Sequence, residues 1–162
     1  MKPIARILAA TSALLCSSPL FAEELTVSGV KAFWAKFEAA DERCDVDAIV
    51  DRISPLAVIS GTTLAQGDAM FFRANKQQYG QLMKQTCGQI TNEKSTRTNV
   101  NISIDRDQAT ITEDVATTYT LNGQTISLKS RDKAVIELID GKLMLVQFLI
   151  NQTDRSVEVA SR

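Results

Sequence analysis

The chain has 162 residues, a formal net charge of −1 and no histidine. Its charge argues against non-specific binding to nucleic acid or anionic membranes, because such binding needs an excess of basic residues. The lack of histidine excludes histidine-activated nucleophiles and the common histidine-containing zinc and iron sites. We therefore expect no metal and no cofactor, and any acid–base chemistry would have to come from carboxylates, lysine or tyrosine.

The first 22 residues have the pattern of a secretory signal peptide. A basic start at Lys2 and Arg6 precedes an apolar stretch that is too short to span a bilayer, and residues 19–22 form a cleavage site. Cys16 suggests the alternative of a lipoprotein, but the residue before it is bulky where a small one is required. We predict export to the periplasm by a cleavable leader, with no transmembrane segment.

Removing 22 residues from 162 leaves 140, which suits one domain. We place this domain at residues 23–152 and a polar C-terminal tail at 153–162. Two cysteines remain, Cys44 and Cys87, and an even pair in an oxidising compartment predicts a disulfide rather than two separate buried thiols. Such a bridge would stabilise the fold by about 4 kcal/mol.

Two helices are predicted at the start of the domain. Apolar residues at helical spacing predict the first over 25–43, with Thr26 or Ser28 as its N-cap. The second begins near Asp45 or Asp47, either of which can cap it. Both helices are amphipathic, so we expect each to pack one face against a core.

A short strand and a third helix follow. Pro55 ends the second helix, and the apolar residues 56–60 predict a strand that Gly61 closes. The third helix is predicted over about 68–86. Its expected inward residues are Phe72, Tyr79, Leu82 and Met83.

After Asn92 the pattern changes from helical spacing to alternation of apolar and polar residues, which predicts strands. Turns are predicted at 105–107, at Asn122-Gly123 and at Asp140-Gly141, and long strands cover 126–139 and 143–152. Two long antiparallel hairpins after three helices predict an α+β domain, in which the helices pack on a strongly curved antiparallel sheet.

The last predicted strand is apolar on both faces. Strict alternation places Met144, Val146, Phe148 and Ile150 on one face and Leu143, Leu145 and Leu149 on the other. One face can pack on the helices, but the second must also be covered. We predict a homodimer formed through this sheet, with the C-terminal tail or a loop as the alternative cover.

This order of elements resembles the nuclear transport factor 2-like superfamily, which includes SnoaL-like polyketide cyclases and ketosteroid isomerases. The resemblance is carried by residues 37–61, with their acidic turn and AIV helix, and by the closing segment DKAVIELIDGKLMLVQFLI. It implies that a curved sheet wraps the helices into a cone whose open end forms an apolar pocket. The pocket would then contain the aromatic residues Trp34, Phe37, Phe72, Tyr79, Tyr119 and Phe148, although aromatics at helical spacing mostly fill cores.

The resemblance also implies where catalytic residues would lie. The isomerases carry an enolate-stabilising tyrosine on the first helix, and the matching residue here is Phe37. Their general base is an aspartate at the end of the short strand, and the matching residue here is Gly61. Because neither residue can donate or accept a proton, the sequence argues against isomerase chemistry and leans away from an enzyme.

Two other carboxylates are weak catalytic candidates. Glu113 and Asp132 each share a strand face with apolar residues, and burial would raise the pKa of such a carboxylate. The alternatives are a β-bulge that turns them to solvent, or pairing with a basic residue such as Arg131, Lys133 or Arg97.

Three functions remain open on the sequence. The first is an exported, non-catalytic domain that binds a small apolar or amphipathic ligand in the cone pocket. The second is a periplasmic protein–protein interaction or accessory factor with a filled pocket. The third is an enzyme of the cyclase, isomerase or dehydratase type that uses Glu113 or Asp132.

Overall fold

Three helices and six strands form residues 23–65 and 68–159, which are the residues that this computed structural model describes. The predicted leader, residues 1–22, lies outside them. In chain order the elements are α1 Val27–Glu42, α2 Val46–Asp51, β1 Ile53–Ala65, β2 Asp68–Ala74, α3 Lys76–Cys87, β3 Ile90–Asp105, β4 Gln108–Leu121, β5 Gln124–Ile139 and β6 Lys142–Val159.

The six strands form one curved, unclosed sheet in the order β2-β1-β6-β5-β4-β3. The β1–β6 pair is parallel and the other pairs are antiparallel. The helices cover one face, called here the inner face, and the opposite face is called the outer face. This arrangement confirms the predicted α+β class. Residues buried between helices and sheet include Phe33, Ile49, Ile53, Ile59, Ile111, Ile136 and Leu145.

Polar caps fix the starts of the first two helices. The Thr26 side chain accepts a hydrogen bond from the Gly29 amide at 3.1 Å, and Asp45 accepts one from the Ala48 amide at 3.2 Å. Between these helices Cys44 adopts a left-handed conformation, with φ 52°. That conformation cannot continue a helix, so the chain turns there from α1 into α2.

The prediction of the third helix was wrong for its first seven residues. Residues 68–74 form β2, which pairs antiparallel with β1, and α3 begins only at Lys76. The helix start is set by Asn75, whose side chain accepts from the Gln78 amide while the Gln78 side chain accepts from the Asn75 amide. Phe72 therefore lies on a strand, and Leu82 is exposed rather than inward.

The predicted short strand is longer than expected. The α2 helix ends at Asp51, and β1 already begins at Ile53, so that Pro55 lies within the strand. It is tolerated because the β1–β6 pairing is irregular between Ile53 and Val58, where proline removes no regular ladder hydrogen bond. Gly61 lies inside β1 rather than at its end.

The predicted faces of the last strand were also wrong. Leu145 pairs with Ile136 and Gln147 pairs with Val135, so one extra residue, Val146, forms a β-bulge in β6. After the bulge the alternation is inverted, and Leu143, Leu145, Phe148 and Ile150 all lie on the inner face. The strand continues to Val159, so residues 153–159, expected as a polar tail, belong to the sheet.

The predicted bridge is confirmed, since Cys44 and Cys87 form a disulfide with their Cα atoms 5.8 Å apart. It joins the α1–α2 turn to the last residue of α3. No helix among the described residues is long and apolar enough to cross a membrane.

Candidate functional site

A cavity of about 310 Å³ opens between α1, α3 and the inner face of the sheet. Three aromatic rings form its floor. Trp34 and Phe37, three residues apart on α1, stack with their ring centroids 5.1 Å apart. Phe148 of β6 packs edge-on against both, at 5.8 Å from Trp34 and 6.3 Å from Phe37. The floor is therefore apolar and presents ring faces and edges to a bound molecule.

Most of the predicted pocket residues line this cavity. Five of the six aromatic candidates do so, namely Trp34, Phe37, Tyr79, Tyr119 and Phe148. Phe72 lies on β2 and is not part of the cavity wall. Its ring packs beside Gly61 instead. The sequence misplaced Phe72 because it predicted a helix where the structure has β2. The role of the other five as ligand contacts stays a prediction.

Gly61 has a packing reason for its lack of a side chain. A Cβ atom at this position would clash with the Ile150 carbonyl oxygen of the paired strand and would lie 2.8 Å from the Phe72 ring. The clash with backbone cannot be relieved by rotating a side chain. A carboxylate could therefore not occupy position 61 without moving β6 or Phe72.

Glu113 is buried beside the aromatic floor. Its side chain is 3% exposed and accepts a hydrogen bond from the Trp34 indole nitrogen at 3.2 Å. The Nε atom of Arg97, on β3, lies 3.4 Å from the other Glu113 oxygen and 3.0 Å from a Glu38 oxygen. The same guanidinium lies 3.8 Å from Asp41. The single positive charge of Arg97 therefore lies near three carboxylates, so this cluster of four side chains has an excess of negative charge.

Asp132 lies directly across from Glu113 in the β4–β5 pairing. It is 8% exposed, and its Oδ1 atom is buried without a hydrogen-bond partner in the described structure. Burial raises the pKa of Asp132 to about 6, repulsion from Glu113 adds to the rise, and the Ser130 hydroxyl and Arg97 oppose it. A carboxylate with this pKa can exchange a proton near neutral pH.

Further titratable groups face the same cavity. Burial raises the pKa values of Asp41 and Glu93, and it raises the pKa of Tyr79, to which the charges of Asp41 and Asp132 contribute. Sequence reasoning singled out neither Asp41 nor Glu93. Asp41 lies one helical turn after Phe37, so helical spacing could have identified it. In the described chain, no group of three or more acidic or cysteine residues is arranged to hold a metal ion.

Solved structures with this architecture share little sequence with the chain. A nuclear transport factor 2-like protein from Cytophaga hutchinsonii is 13% identical, with a TM-score of 0.63 over 78% of this chain and 97% of that one. A ketosteroid isomerase-like protein from Erwinia carotovora is 12% identical, with a TM-score of 0.60 over 77% and 94%. The beta subunit of the benzoate 1,2-dioxygenase of Burkholderia mallei is 14% identical, with a TM-score of 0.63 over 80% and 92%. The chain has the nuclear transport factor 2-like fold.

At this level of identity the neighbours show the nuclear transport factor 2-like fold alone. No protein-family model matches the chain, and no curated protein matches it. The names of the similar solved structures point to different activities, and one fold can host many unrelated functions. The function therefore has to be argued from the cavity.

Proposed function

We propose that the chain binds a small, largely apolar molecule in the cavity above Trp34, Phe37 and Phe148. The observation that carries this proposal is the open volume of about 310 Å³ over an aromatic floor. Small-molecule sites have volumes of ~300–1,000 Å³ and combine apolar walls with a few polar groups. The alternative of a filled pocket is disfavoured, since the five aromatic side chains that could have filled the space line it instead.

Proton-transfer catalysis is the second candidate. It is favoured by Asp132, which is buried in the cavity wall with an unpartnered oxygen and a pKa raised to about 6. In this reading Asp132 takes up a proton from the bound molecule, and Glu113 and Arg97 fix the surrounding charge. Incubating the protein with a bound molecule distinguishes the two candidates. The molecule is recovered unchanged if the site only binds, and it is converted if the site catalyses.

We further propose that the protein acts outside the cytoplasm and pairs with a second copy through the outer face. Export is supported by the pattern of residues 1–22 and by the disulfide, which suits an oxidising compartment. Pairing is supported by an outer-face depression that contains Val58, Phe71 and Val146, together with one basic and one acidic residue, Arg73 and Glu137. Such a surface can complement itself across a two-fold axis.

Binding can be tested with the neutral fluorescent dye N-phenylnaphthylamine. Trp34 is the sole tryptophan and lies in the cavity floor, so a dye bound there quenches its fluorescence by energy transfer. We expect saturable quenching. Phe148→Ala should weaken dye binding roughly tenfold, because it removes one of the three aromatic rings of the floor.

Phe71→Ala is the matched control, because it deletes the same side chain from the outer face. It should leave the affinity for the dye unchanged. Quenching that does not saturate, or equal losses in Phe71→Ala and Phe148→Ala, would contradict binding in the cavity.

A further inference from the structure

We propose that the cavity is selective for an organic cation, whose ammonium group lies beside Asp132 while its apolar body covers Trp34, Phe37 and Phe148. This inference rests on the proposed binding function and adds the charge of the ligand. Three independent features of the cavity support it. They are the charge balance of its wall, an unpartnered buried oxygen, and the contact between its acidic and aromatic parts.

The charge balance of the wall is acidic. Four carboxylate residues line the cavity, namely Asp41, Glu93, Glu113 and Asp132, while Arg97 is the single lysine or arginine among the lining residues that the structure describes. Arg97 is shared with Glu38 behind the wall. Like charges that are gathered in a partly dry cavity repel one another, and a bound cation relieves this repulsion.

Asp132 supplies the specific contact. Its side chain is more than nine-tenths buried, faces the cavity, and has an oxygen atom with no hydrogen-bond donor in the described chain. A buried acceptor without a donor is costly and is rare in native proteins. An ammonium group offers up to three donors together with a positive charge, so it would satisfy this atom and offset the uncompensated charge at once.

The acidic and aromatic parts of the wall are in direct contact. The Trp34 indole donates to Glu113, and Glu113 pairs across the strands with Asp132. A cation placed beside Asp132 therefore lies at the edge of the aromatic floor, where ring faces also attract positive charge. A neutral molecule would leave the acidic charge uncompensated, and an anion would be repelled by it.

The test compares three probes on one apolar body, each measured by the recovery of Trp34 fluorescence as the probe displaces bound N-phenylnaphthylamine. The probes are phenylbutylamine, phenylbutanol and phenylbutyrate, which are cationic, neutral and anionic at neutral pH. We expect the amine to bind roughly tenfold or more tightly than the alcohol, as for a hydrogen bond to a charged group, and the carboxylate to bind most weakly. Asp132→Asn should remove the preference for the amine while phenylbutanol still binds.

Asp154→Asn is the matched control, because it removes the same charge from an exposed outer-face residue that pairs with Lys129. It should keep the full preference for the amine. Equal affinities for amine and alcohol, or tighter binding of the carboxylate, would overturn the cation inference and leave binding itself intact. If none of the three probes binds, the proposed binding function fails and the inference fails with it.

A pH titration of the unmodified protein keeps the inference testable even if Asp132→Asn does not fold. Asp132 is faced by Glu113 from β4, Arg97 from β3 and Tyr79 from α3. Glu38 and Asp41 of α1 pair with the same Arg97. When the carboxylates with raised pKa values are protonated, the negative charge that attracts an ammonium group is lost. The affinity for phenylbutylamine should therefore fall as the pH is lowered from about 8 to about 5, while that for phenylbutanol stays level. Parallel pH profiles for the two probes would overturn the inference.

Discussion

At the scale of single residues, Asp132 and Gly61 show how strand pairing determines chemistry. The pKa of Asp132 is raised mainly because the inner face of β5 buries its side chain, and the β4–β5 register adds repulsion by setting it opposite Glu113. Gly61 loses any possible catalytic role because the Ile150 carbonyl occupies the space of its missing side chain. The buried carboxylate with the strongly raised pKa therefore lies on β5, while position 61 on β1 has no room for a side chain.

The first prediction concerns Asp132 and the pH dependence of stability. The pKa of Asp132 is about 6 in the folded protein against an ordinary value of 3.8 for aspartate, so between these values the folded state holds a proton that the unfolded state has lost. Its contribution to stability therefore falls as the pH rises through this window, by on the order of 2–3 kcal/mol. Asp132→Asn cannot ionise. Relative to the unmodified protein, its free energy of unfolding should rise by that amount between about pH 4 and about pH 8.

Urea denaturation at the two pH values measures this difference. Subtracting the unmodified protein cancels the pH dependence that Glu38, Asp41 and Glu93 contribute with their own raised pKa values. Asp154→Asn, on the outer face, should show no such trend. If the Asp132→Asn difference is the same at both pH values, the carboxylate does not ionise at a raised pKa.

At the scale of elements, the disulfide ties together the parts that form the cavity rim. Cys44 lies in the turn between α1 and α2, Cys87 ends α3, and both line the cavity. The α2–α3 contact is close as well, since a Cβ at Gly80 would lie 2.8 Å from the Val50 side chain. These contacts hold α3 over the sheet, so that Tyr79 forms a wall of the cavity.

The second prediction concerns this bridge. The double variant Cys44→Ser/Cys87→Ser should lose about 4 kcal/mol of unfolding free energy, because it removes a cross-link between residues 43 apart. Denaturant unfolding with and without a reductant measures the loss. The double variant serves as its own control, since a reductant should destabilise the unmodified protein and leave the variant unchanged. Identical unfolding of the unmodified protein with and without reductant would contradict the bridge.

At the scale of the whole molecule, the curved sheet has two different faces. The inner face holds the cavity, and the outer face carries exposed apolar side chains such as Phe71, which is 71% exposed, and Leu149, at 37%. The bulge at Val146 moves Leu143 and Leu145 into the core, so the outer apolar surface is smaller than the sequence pattern indicates. It still includes the depression around Phe71 that we propose as the contact with a second copy.

The third prediction concerns this contact. Phe71→Glu places a charge in the centre of the proposed interface and should raise the dimer dissociation constant at least about tenfold, as for a central interface residue. Sedimentation equilibrium at micromolar concentration measures the change. Val100→Glu is the matched control, because Val100 is also exposed but lies on the far edge strand β3. An unmodified protein that sediments as a monomer would refute the contact.

The sequence by itself determined the hairpin turns at Gly123 and Gly141, narrowed each of the first two helix caps to two candidates, and predicted the pairing of the two cysteines. These features depend on local hydrogen bonding, on backbone conformation or on the cysteine count, all of which are visible in a few residues. The α+β class and the family resemblance followed from the order of such elements. Five of the six predicted pocket aromatics also line the cavity, because their spacing along helix and strand fixes their face.

Only the tertiary structure decided the features that depend on pairing between distant segments. The strand β2 exists because its residues find β1 as a partner, and helical spacing alone could not reveal this. The bulge at Val146 inverts the faces of the last strand, since one extra residue changes an alternation of period two. The cluster of Asp41, Glu93, Glu113 and Asp132 around one arginine brings together α1, β3, β4 and β5, and only the curvature of the sheet places these elements around one cavity.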